Sequence, residues 1–236
     1  MTVGFITRAE LNPGAVASIL LRDAQGDGAH ALVWTLFADQ PRGARCFLYR
    51  AEEPERFPGR FLIVSTEPPT DPDGLWRLDT KPYAPELTTG DTLRFVLRVN
   101  PAVTYKVGRK TKRADVVMKA KDAAGRAAEA AIPATDEAVR RAVKRAARAK
   151  VDKDVLVRDW LAPRLDAGGA RLDTFDLTGW QVRPDHRAGG QRHRLAVADI
   201  EGALTVTDPD AFTAGLFAGL GKARAYGCGL LLVRRG

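Results

Sequence analysis

The segment that decides the fold reads GLGKARAYGCG and spans Gly219–Gly229. It contains two glycine–apolar–glycine units, and Lys222 and Arg224 are basic residues between them. A helical pattern precedes the segment, and an apolar strand at Leu230–Val233 follows it. Nucleotide-binding P-loops and dinucleotide fingerprints lie after a strand and before a helix, so this order disfavours both. The glycines would instead let backbone amides approach a phosphate where a Cβ atom would intrude.

The composition indicates a polyanion as partner. The 236 residues carry a formal net charge of +8, and phosphate neutralisation supplies much of the affinity for nucleic acid. A soluble protein that is merely basic is the alternative. No apolar run approaches the roughly 18 residues that span a bilayer, and the N-terminus has no signal-peptide pattern, so we expect a cytoplasmic protein. Cys46 and Cys228 lie outside any CxxC, which predicts neither a disulfide framework nor a zinc site.

The first part of the chain predicts a few strands and helices followed by a linker. The predicted elements are a strand at Thr2–Arg8, helices at Ala15–Leu21 and Ala29–Phe37, and strands at Cys46–Arg50 and Arg60–Ser65. Asp27, in the sequence Gly26-Asp27-Gly28, is the predicted N-cap of the second helix. Residues 67–90 are rich in Pro, Asp, Gly and Thr, which indicates a loop and an interdomain linker.

The pattern of elements restarts at Thr92. Apolar residues from Leu93 to Val99 recur at strand period, and Asn100-Pro101 ends the strand. We then expect a strongly basic stretch at 104–126, a basic helix at 135–150, a helix from Asp152 or Asp154 to Pro163, strands at 174–183 and 192–206, and a helix opened by Asp208-Pro209. The order of elements predicts an α+β fold of two tandem ferredoxin-like, or RRM-like, domains at residues 1–88 and 89–236.

Taken together, these features resemble a known family. The paired glycine units at the C-terminus of a basic chain resemble the C-terminal loop of the CRISPR-associated repeat-RNA endonucleases of the Cas6 superfamily, and most closely the CasE (Cse3) branch. The likeness extends to LRFVLRVNP at Leu93–Pro101, to the basic strand, Glu-Gly turn and Asp-Pro helix start in Gly190–Phe212, and to HALVWTLF at His30–Phe37. It touches both predicted domains, while residues 104–150 match poorly.

The resemblance implies an activity and a catalytic residue. Members of this family cut the repeat hairpin of the CRISPR precursor transcript without a metal, so we expect attack by the 2′-OH and products with a 2′,3′-cyclic phosphate and a 5′-OH. We expect no cofactor and no metal. The expected partners are the CRISPR repeat RNA hairpin and the other Cascade subunits. His30 occupies the place of the catalytic histidine, whereas Asp27 stands where some relatives have a tyrosine.

The candidate residues also have plainer interpretations. His30 lies four residues before Trp34, and a lone histidine on such a helical face is usually packed and hydrogen-bonded. The predicted RNA-binding residues are Gly219, Gly221, Lys222, Arg224, Gly227 and Gly229 in the glycine-rich segment, Arg192 and Arg194 near the preceding strand, and Lys110, Lys112 and Arg113. For 106–126 the alternatives are a basic hairpin against RNA and a disordered basic loop, and for His186 and His193 they are phosphate contact and a solvated loop.

The basic helix and the protein as a whole can each be interpreted in more than one way. The cations of the helix would contact RNA or, as we favour, form a solvated face; they are Arg140, Arg141, Lys144, Arg145 and Arg148. The protein could also hold a CRISPR-RNA hairpin in the same assembly without cutting it, which Asp27 in place of the tyrosine suggests. An unrelated small-ligand protein of ferredoxin-like fold is the third hypothesis, since fold alone does not exclude it.

Overall fold

The computed structural model describes residues 3–14, 27–41, 45–52, 59–132, 136–186 and 192–236. The predicted helix at Ala15–Leu21 lies outside these ranges. The chain divides into two compact units, of which the first contains Met1–Asn100 and Leu165–Gly236 and the second contains Pro101–Arg164. Among the described helices, none is long and apolar enough to cross a membrane.

The first sheet contains four antiparallel strands in the order β2-β3-β1-β4. Its elements are β1 (Gly4–Leu11), helix α1 (Asp27–Trp34) with a 3₁₀ turn at Thr35–Phe37, β2 (Phe47–Ala51), β3 (Arg60–Ser65) and β4 (Trp76–Tyr83). This is the strand order of a ferredoxin-like domain. Helix α1 begins at Asp27, whereas the sequence predicted Asp27 as the cap and Ala29 as the first helical residue.

Strand β4 corrects the interpretation of residues 67–90 as a loop and linker. It pairs with β1 along its whole length, from Tyr83 opposite Gly4 to Trp76 opposite Leu11. Of its residues only Trp76 is buried, because β4 lies at the edge of the sheet. An edge strand that is held by backbone hydrogen bonds, and that lacks alternating apolar residues, cannot be told from a loop by periodicity.

Helix α1 covers one face of the first sheet. Val33 and Phe37 of the helical segment pack with Phe47, Ile63 and Trp76 of the strands in one buried cluster. Each large apolar side chain that is fully buried contributes about 1.5–3 kcal/mol. This core therefore fixes α1 against strands β2 and β3.

The second sheet repeats the same topology. In chain order the remaining elements are β5 (Thr92–Val99), β6 (Ala102–Val107), β7 (Lys110–Asp115), α2 (Val116–Ala130), α3 (Glu137–Ala149), α4 (Lys153–Ala167), β8 (Ala170–His186), β9 (Arg192–Val206), α5 (Pro209–Ala218) and β10 (Leu231–Arg235). The sheet is antiparallel with the order β10-β5-β9-β8. The predicted α+β fold of two tandem ferredoxin-like domains is thus confirmed, while the boundary between residues 88 and 89 stays a prediction.

Helix α4 continues past Pro163, where the sequence predicted its end. Val157, Leu161 and Leu165 follow one another at four-residue spacing, and all are buried. This apolar stripe crosses the proline and reaches the last turn. Burial of the stripe therefore outweighs the hydrogen bond that a proline inside a helix gives up.

The second unit contains a basic hairpin and two helices. Strands β6 and β7 pair from Ala102 opposite Asp115 to Val107 opposite Lys110, and α2 follows, so a disordered loop is the wrong alternative for 106–126. Between the helices, two cations of α3 pair with acids of α2: Lys144 with Glu129 at 3.1 Å and Arg148 with Asp122 at 2.6 Å. These two cations of the basic helix therefore pair with α2 while their side chains stay partly exposed.

Gly202 lies within strand β9, where the resemblance indicated a Glu-Gly turn. The chain does not turn there. Instead, the register of β8 against β9 shifts between Leu172 and Thr174, beside Gly202. A Cβ atom on Gly202 would overlap the carbonyl oxygen of Thr174 and would lie 2.9 Å from Phe95 Cε1. Glycine is needed because the bulged strand approaches so closely.

We expect Gly202→Ala to lower the free energy of unfolding by about 1–3 kcal/mol, because the Thr174 carbonyl cannot move without disturbing the sheet. Gly215→Ala in α5 is the matched control, since a Cβ atom there would meet nothing nearer than Gly168 O at 4.0 Å. Alanine favours a helix, so the control should be as stable as the natural protein or more stable. Chemical denaturation measures both variants, and equal midpoints would contradict the packing described for Gly202.

Candidate functional site

The glycine-rich segment packs directly on strand β2. Gly219 has a φ of +74°, and a Cβ atom there would lie 2.7 Å from Leu48 Cδ2. Gly229 has a φ of +95°, and a Cβ atom there would lie 2.9 Å from the carbonyl oxygen of Leu220. Both positions require glycine, because this backbone conformation is strained for other residues and the space for a side chain is already filled.

Several amides of this segment already donate within the protein. The Gly219 amide donates to the last turn of α5 at 2.9 Å, that of Gly227 to Arg224 O at 3.2 Å, and that of Gly229 to Arg98 O at 2.7 Å. These glycines therefore shape the segment, whereas the sequence suggested that their amides approach a phosphate. That these glycines help to bind RNA stays a prediction, and they would do so through the shape that they give the segment.

Tyr49 joins this segment to the helix that carries His30. The Tyr49 hydroxyl donates a hydrogen bond to Ala225 O at 2.6 Å. The Tyr49 ring also lies nearly parallel to the His30 ring, with 6.4 Å between centroids and 15° between planes. Helix α1 itself contacts the 3₁₀ turn Arg224–Tyr226. The structure thus places the predicted catalytic histidine beside the glycine-rich segment.

His30 is half-buried, and its Nε2 atom accepts two hydrogen bonds. Trp34 Nε1 lies 2.9 Å from it, and Arg45 Nη2 lies 2.7 Å from it. Indole and guanidinium groups only donate, so Nε2 carries the lone pair and the ring proton lies on Nδ1. In this arrangement His30 is a neutral imidazole, which is the form that a general base needs.

Arg45 is a site residue that the sequence analysis missed. Burial lowers the pKa of its guanidinium most strongly, while the Tyr49 hydroxyl raises this pKa and the Arg224 cation lowers it. Arg224 is held in turn by a hydrogen bond from its Nη2 to Gly219 O at 3.1 Å. Arg224 is thus close enough for its charge to act on Arg45, and it belongs to the turn that contacts the helix of His30. An arginine just before a buried strand was visible in the sequence, but nothing there indicated its partner.

A second charged group joins strand β2 to the second sheet. Asp199 of β9 accepts hydrogen bonds from Arg98 of β5 at 2.8 and 3.1 Å and from Arg50 of β2 at 3.4 Å. Burial lowers the pKa of the Arg50 guanidinium, and so does the neighbouring Arg98, while Asp199 acts in the opposite direction. The Asp199 carboxylate is thus shared between two cations, and we assign this group a structural role.

The other predicted RNA-binding residues lie on several elements. Lys222 is exposed and forms a β-bridge with Asn100, which itself donates to Ala196 O at 2.7 Å. Arg194 is exposed on β9. On β7 of the second unit the predicted cations are all exposed: Lys110, Lys112 and Arg113. RNA contact by these residues stays a prediction.

The basic strand ends beside the other two histidines. Arg192 begins β9 opposite His186, and His193 lies opposite Asp185. The side chains of these four residues lie outside the described part of the structure. The choice between phosphate contact and a solvated loop for the two histidines therefore stays open.

Comparison with known proteins places this geometry in a family. The family described as CRISPR associated protein matches residues 5–235. The Cascade subunit CasE of Escherichia coli K12 is 28% identical over 204 residues, which are 86% of this chain and 88% of that protein. The CRISPR-associated endoribonuclease Cse3 of Thermus thermophilus is 29% identical over 164 residues, which are 65% of this chain and 60% of that protein.

Solved structures show the same fold. A structure of the endoribonuclease Cse3 bound to a 19-nucleotide RNA has a TM-score of 0.67 at 23% identity and covers 99% of both chains. The crystal structure of Cas6e from Escherichia coli K-12 has a TM-score of 0.60 at 20% identity, covering 98% of this chain and 99% of that chain. Both likenesses support the two ferredoxin-like sheets described above.

Cys228 lies within the glycine-rich segment and is buried with Leu195 and Val197. Burial raises the pKa of its thiol to about 12, while the nearby Arg98 acts in the opposite direction. Burial also raises the pKa of Cys46, which is only half-buried. The two thiols therefore differ mainly in how accessible they are and in how firmly they hold a proton.

We expect iodoacetamide at about pH 8.5 to modify Cys46 in the folded protein and to leave Cys228 unmodified, because the thiolate is the reactive form. A raised pKa keeps the Cys228 thiol protonated at every pH below that pKa. Mass spectrometry of tryptic peptides measures both sites, and the same reaction in denaturant, where both should react, is the control. Equal labelling of the two cysteines in the folded protein would contradict the burial of this segment.

Proposed function

Because this chain belongs to the CRISPR-associated protein family, we propose that it is a metal-independent endoribonuclease that binds the repeat hairpin of CRISPR precursor RNA and cleaves it to mature CRISPR RNA. The single observation that carries the proposal is the position of His30, which lies beside the glycine-rich segment on which the family resemblance rests. The relative named CRISPR-associated endoribonuclease supports the same activity.

The proposed reaction uses the RNA and the side chains of the protein. The 2′-oxygen attacks the adjacent phosphorus and the bond from phosphorus to the 5′-oxygen breaks, which leaves a 2′,3′-cyclic phosphate and a 5′-OH. One proton leaves the 2′-OH and one reaches the 5′-oxygen. Once one of its two hydrogen-bond donors has left, His30 Nε2 can take the first of these protons with its lone pair, and an unperturbed imidazole titrates near neutral pH, at about 6.5.

Binding of the hairpin would depend on shape and phosphates. The A-form major groove is too narrow for side chains to read easily, so contacts along the stem are expected to be largely with its backbone. The exposed cations on β7 and Arg194 on β9 are suited to phosphates, and Lys222 and Arg224 lie in the glycine-rich segment. We expect each of these cations to neutralise phosphates of the bound RNA.

The proposal includes an assembly and a location. A similar protein is a Cascade subunit, and a surveillance complex contains a chain of the same fold. We infer that this protein keeps its product bound and joins other Cascade subunits in the cytoplasm. We also propose that residues 1–88 and 89–236 form its two domains, with His30 in the first and the glycine-rich segment in the second.

A hairpin-binding subunit that does not cleave is the second candidate. The observation that favours it is that Nε2 of His30 is already hydrogen-bonded to two donors, which leaves its lone pair engaged. Asp27 also stands where the resemblance implies an assisting tyrosine in some relatives. This candidate predicts tight binding and intact RNA after long incubation.

We expect the protein to cleave its repeat RNA in EDTA and His30→Ala to lower the cleavage rate by about 100-fold or more, because general acid–base catalysis contributes on that order. The affinity for RNA should hardly change. A repeat RNA with a 2′-deoxy nucleotide at the cut position is the control, since it should bind and stay intact. Intact natural RNA, or cleavage by the variant at the natural rate, would count against the proposed enzyme.

We expect replacement of Lys110, Lys112 and Arg113 by alanine to weaken RNA binding and to make it less dependent on salt. Each lost phosphate contact lowers the slope of log affinity against log salt by about 0.7–0.9, so the slope of the triple variant should fall by about 2–3. A triple variant of the exposed cations Arg8, Arg77 and Lys81 is the matched control. Equal slopes for the two variants would show that the hairpin does not contact RNA.

A further inference from the structure

Arg45 occupies an unusual position for a cation. Its Nη2 lies 2.7 Å from His30 Nε2, the same atom that accepts a hydrogen bond from Trp34 Nε1 at 2.9 Å. An Nε2 atom that faces two donors can neither carry a proton nor offer its lone pair to a ribose hydroxyl. Proton transfer at Nε2, in either direction, therefore requires one of the two donors to leave.

Of the two donors, Arg45 is the one that can leave. Trp34 lies on the same helix as His30, four residues further on, and its ring packs edge-on against Phe47 with 5.0 Å between centroids. Arg45 instead precedes strand β2, is half-buried, and reaches His30 with a long side chain. Its guanidinium has five N–H groups, so it can turn towards a better acceptor without losing all of its contacts.

The charges around Arg45 favour an anion as that acceptor. Among the described residues, the groups that act on the charge of Arg45 are the neutral Tyr49 hydroxyl and the Arg224 cation, and neither is a carboxylate. The Nε atom of Arg224 is buried and has no hydrogen-bond partner there. The two guanidinium groups repel each other electrostatically, and a phosphate that both could reach would satisfy them through charge-assisted hydrogen bonds.

We propose that Arg45 binds the scissile phosphate together with Arg224, and that its transfer from His30 Nε2 to this phosphate frees His30 for proton transfer. This inference rests on the proposed endoribonuclease function and adds a residue to it. Arg45 is then a catalytic residue, since it touches a reacting group. In the RNA-free protein it holds His30 neutral and oriented, and in the complex it neutralises the charge that develops on the phosphate.

The steps balance in atoms and protons. Arg45 exchanges one acceptor, His30 Nε2, for another, a non-bridging phosphate oxygen, and remains protonated throughout. Nε2 then takes the proton of the 2′-OH as the oxygen–phosphorus bond forms and the bond to the 5′-oxygen breaks. A proton from solvent, or from His30 once it is charged, completes the 5′-OH. No oxidant, reductant or metal enters.

The test is single-turnover cleavage of repeat RNA by Arg45→Ala and Arg45→Lys. We expect Arg45→Ala to lower the rate by about 100-fold, which is typical for a lost donor to a charged transition state. Arg45→Lys should keep part of the rate, because it retains the charge without the planar fork. Free guanidinium added to Arg45→Ala should restore part of its rate. The matched control is Arg171→Ala, an exposed arginine on β8 that pairs with Asp173 at 3.1 Å.

Sulfur substitution separates contact with the phosphate from a merely structural role. A phosphorothioate at the cut position should slow the natural protein and the control, because sulfur accepts hydrogen bonds poorly. Arg45→Ala should be nearly insensitive to it. Cleavage by Arg45→Ala at the natural rate, or a full sulfur effect in that variant, would overturn the proposal. If Arg45→Ala fails to fold, a natural rate with a full sulfur effect in Arg45→Lys would overturn it equally.

The same assay distinguishes this inference from the function on which it rests. Intact RNA with the natural protein would refute the endoribonuclease and, with it, the role of Arg45. Cleavage that depends on His30 but not on Arg45 would leave the enzyme in place and refute only this inference.

Discussion

The rest of the structure depends on the close packing of the glycine-rich segment against strand β2. Gly219 has a positive φ and lies against Leu48, so that a Cβ atom there would be only 2.7 Å from Leu48 Cδ2, and Tyr49 donates to Ala225 O from the same strand. Residues that succeed one another in a strand point to opposite faces. Tyr49 of strand β2 therefore packs in the core under α1. Leu48 and Arg50 of the same strand contact the second sheet.

The ion pairs of Asp199 also hold strand β2 against the second sheet. Asp199 and Arg98 are both mostly buried, with exposed side-chain fractions of 18% and 14%. Removing one partner of a buried pair is usually far more costly than losing an exposed one, because a desolvated charge stays behind. Arg50 adds a second cation from β2. The strand is thus attached to the second sheet by polar groups as well as by apolar packing, and His30 is positioned as a consequence.

Periodicity and capping residues predicted most of the fold, and close tertiary contacts explain the rest. The alternation from Leu93 to Val99 and the Asp208-Pro209 cap appear in the structure as β5 and the start of α5. Strand β4 was missed because an edge strand needs pairing partners and little burial. In the site, the resemblance indicated His30, but Arg45 has no pattern of its own. Its role follows from a contact that only the folded chain creates.

The glycines show why a motif can identify a family more securely than it explains a mechanism. Their spacing suggested amides that approach a phosphate, yet the amides of Gly219 and Gly229 are used inside the protein. What the spacing maintains is a backbone path that sets Ala225 O opposite Tyr49 and holds Arg224 against Gly219 O, where its charge acts on Arg45. A charged pair held in this way has a reason to bind a phosphate. If Arg45 must leave His30 to do so, the proton-transfer group becomes available only when a phosphate is correctly seated, which couples recognition of RNA to its cleavage.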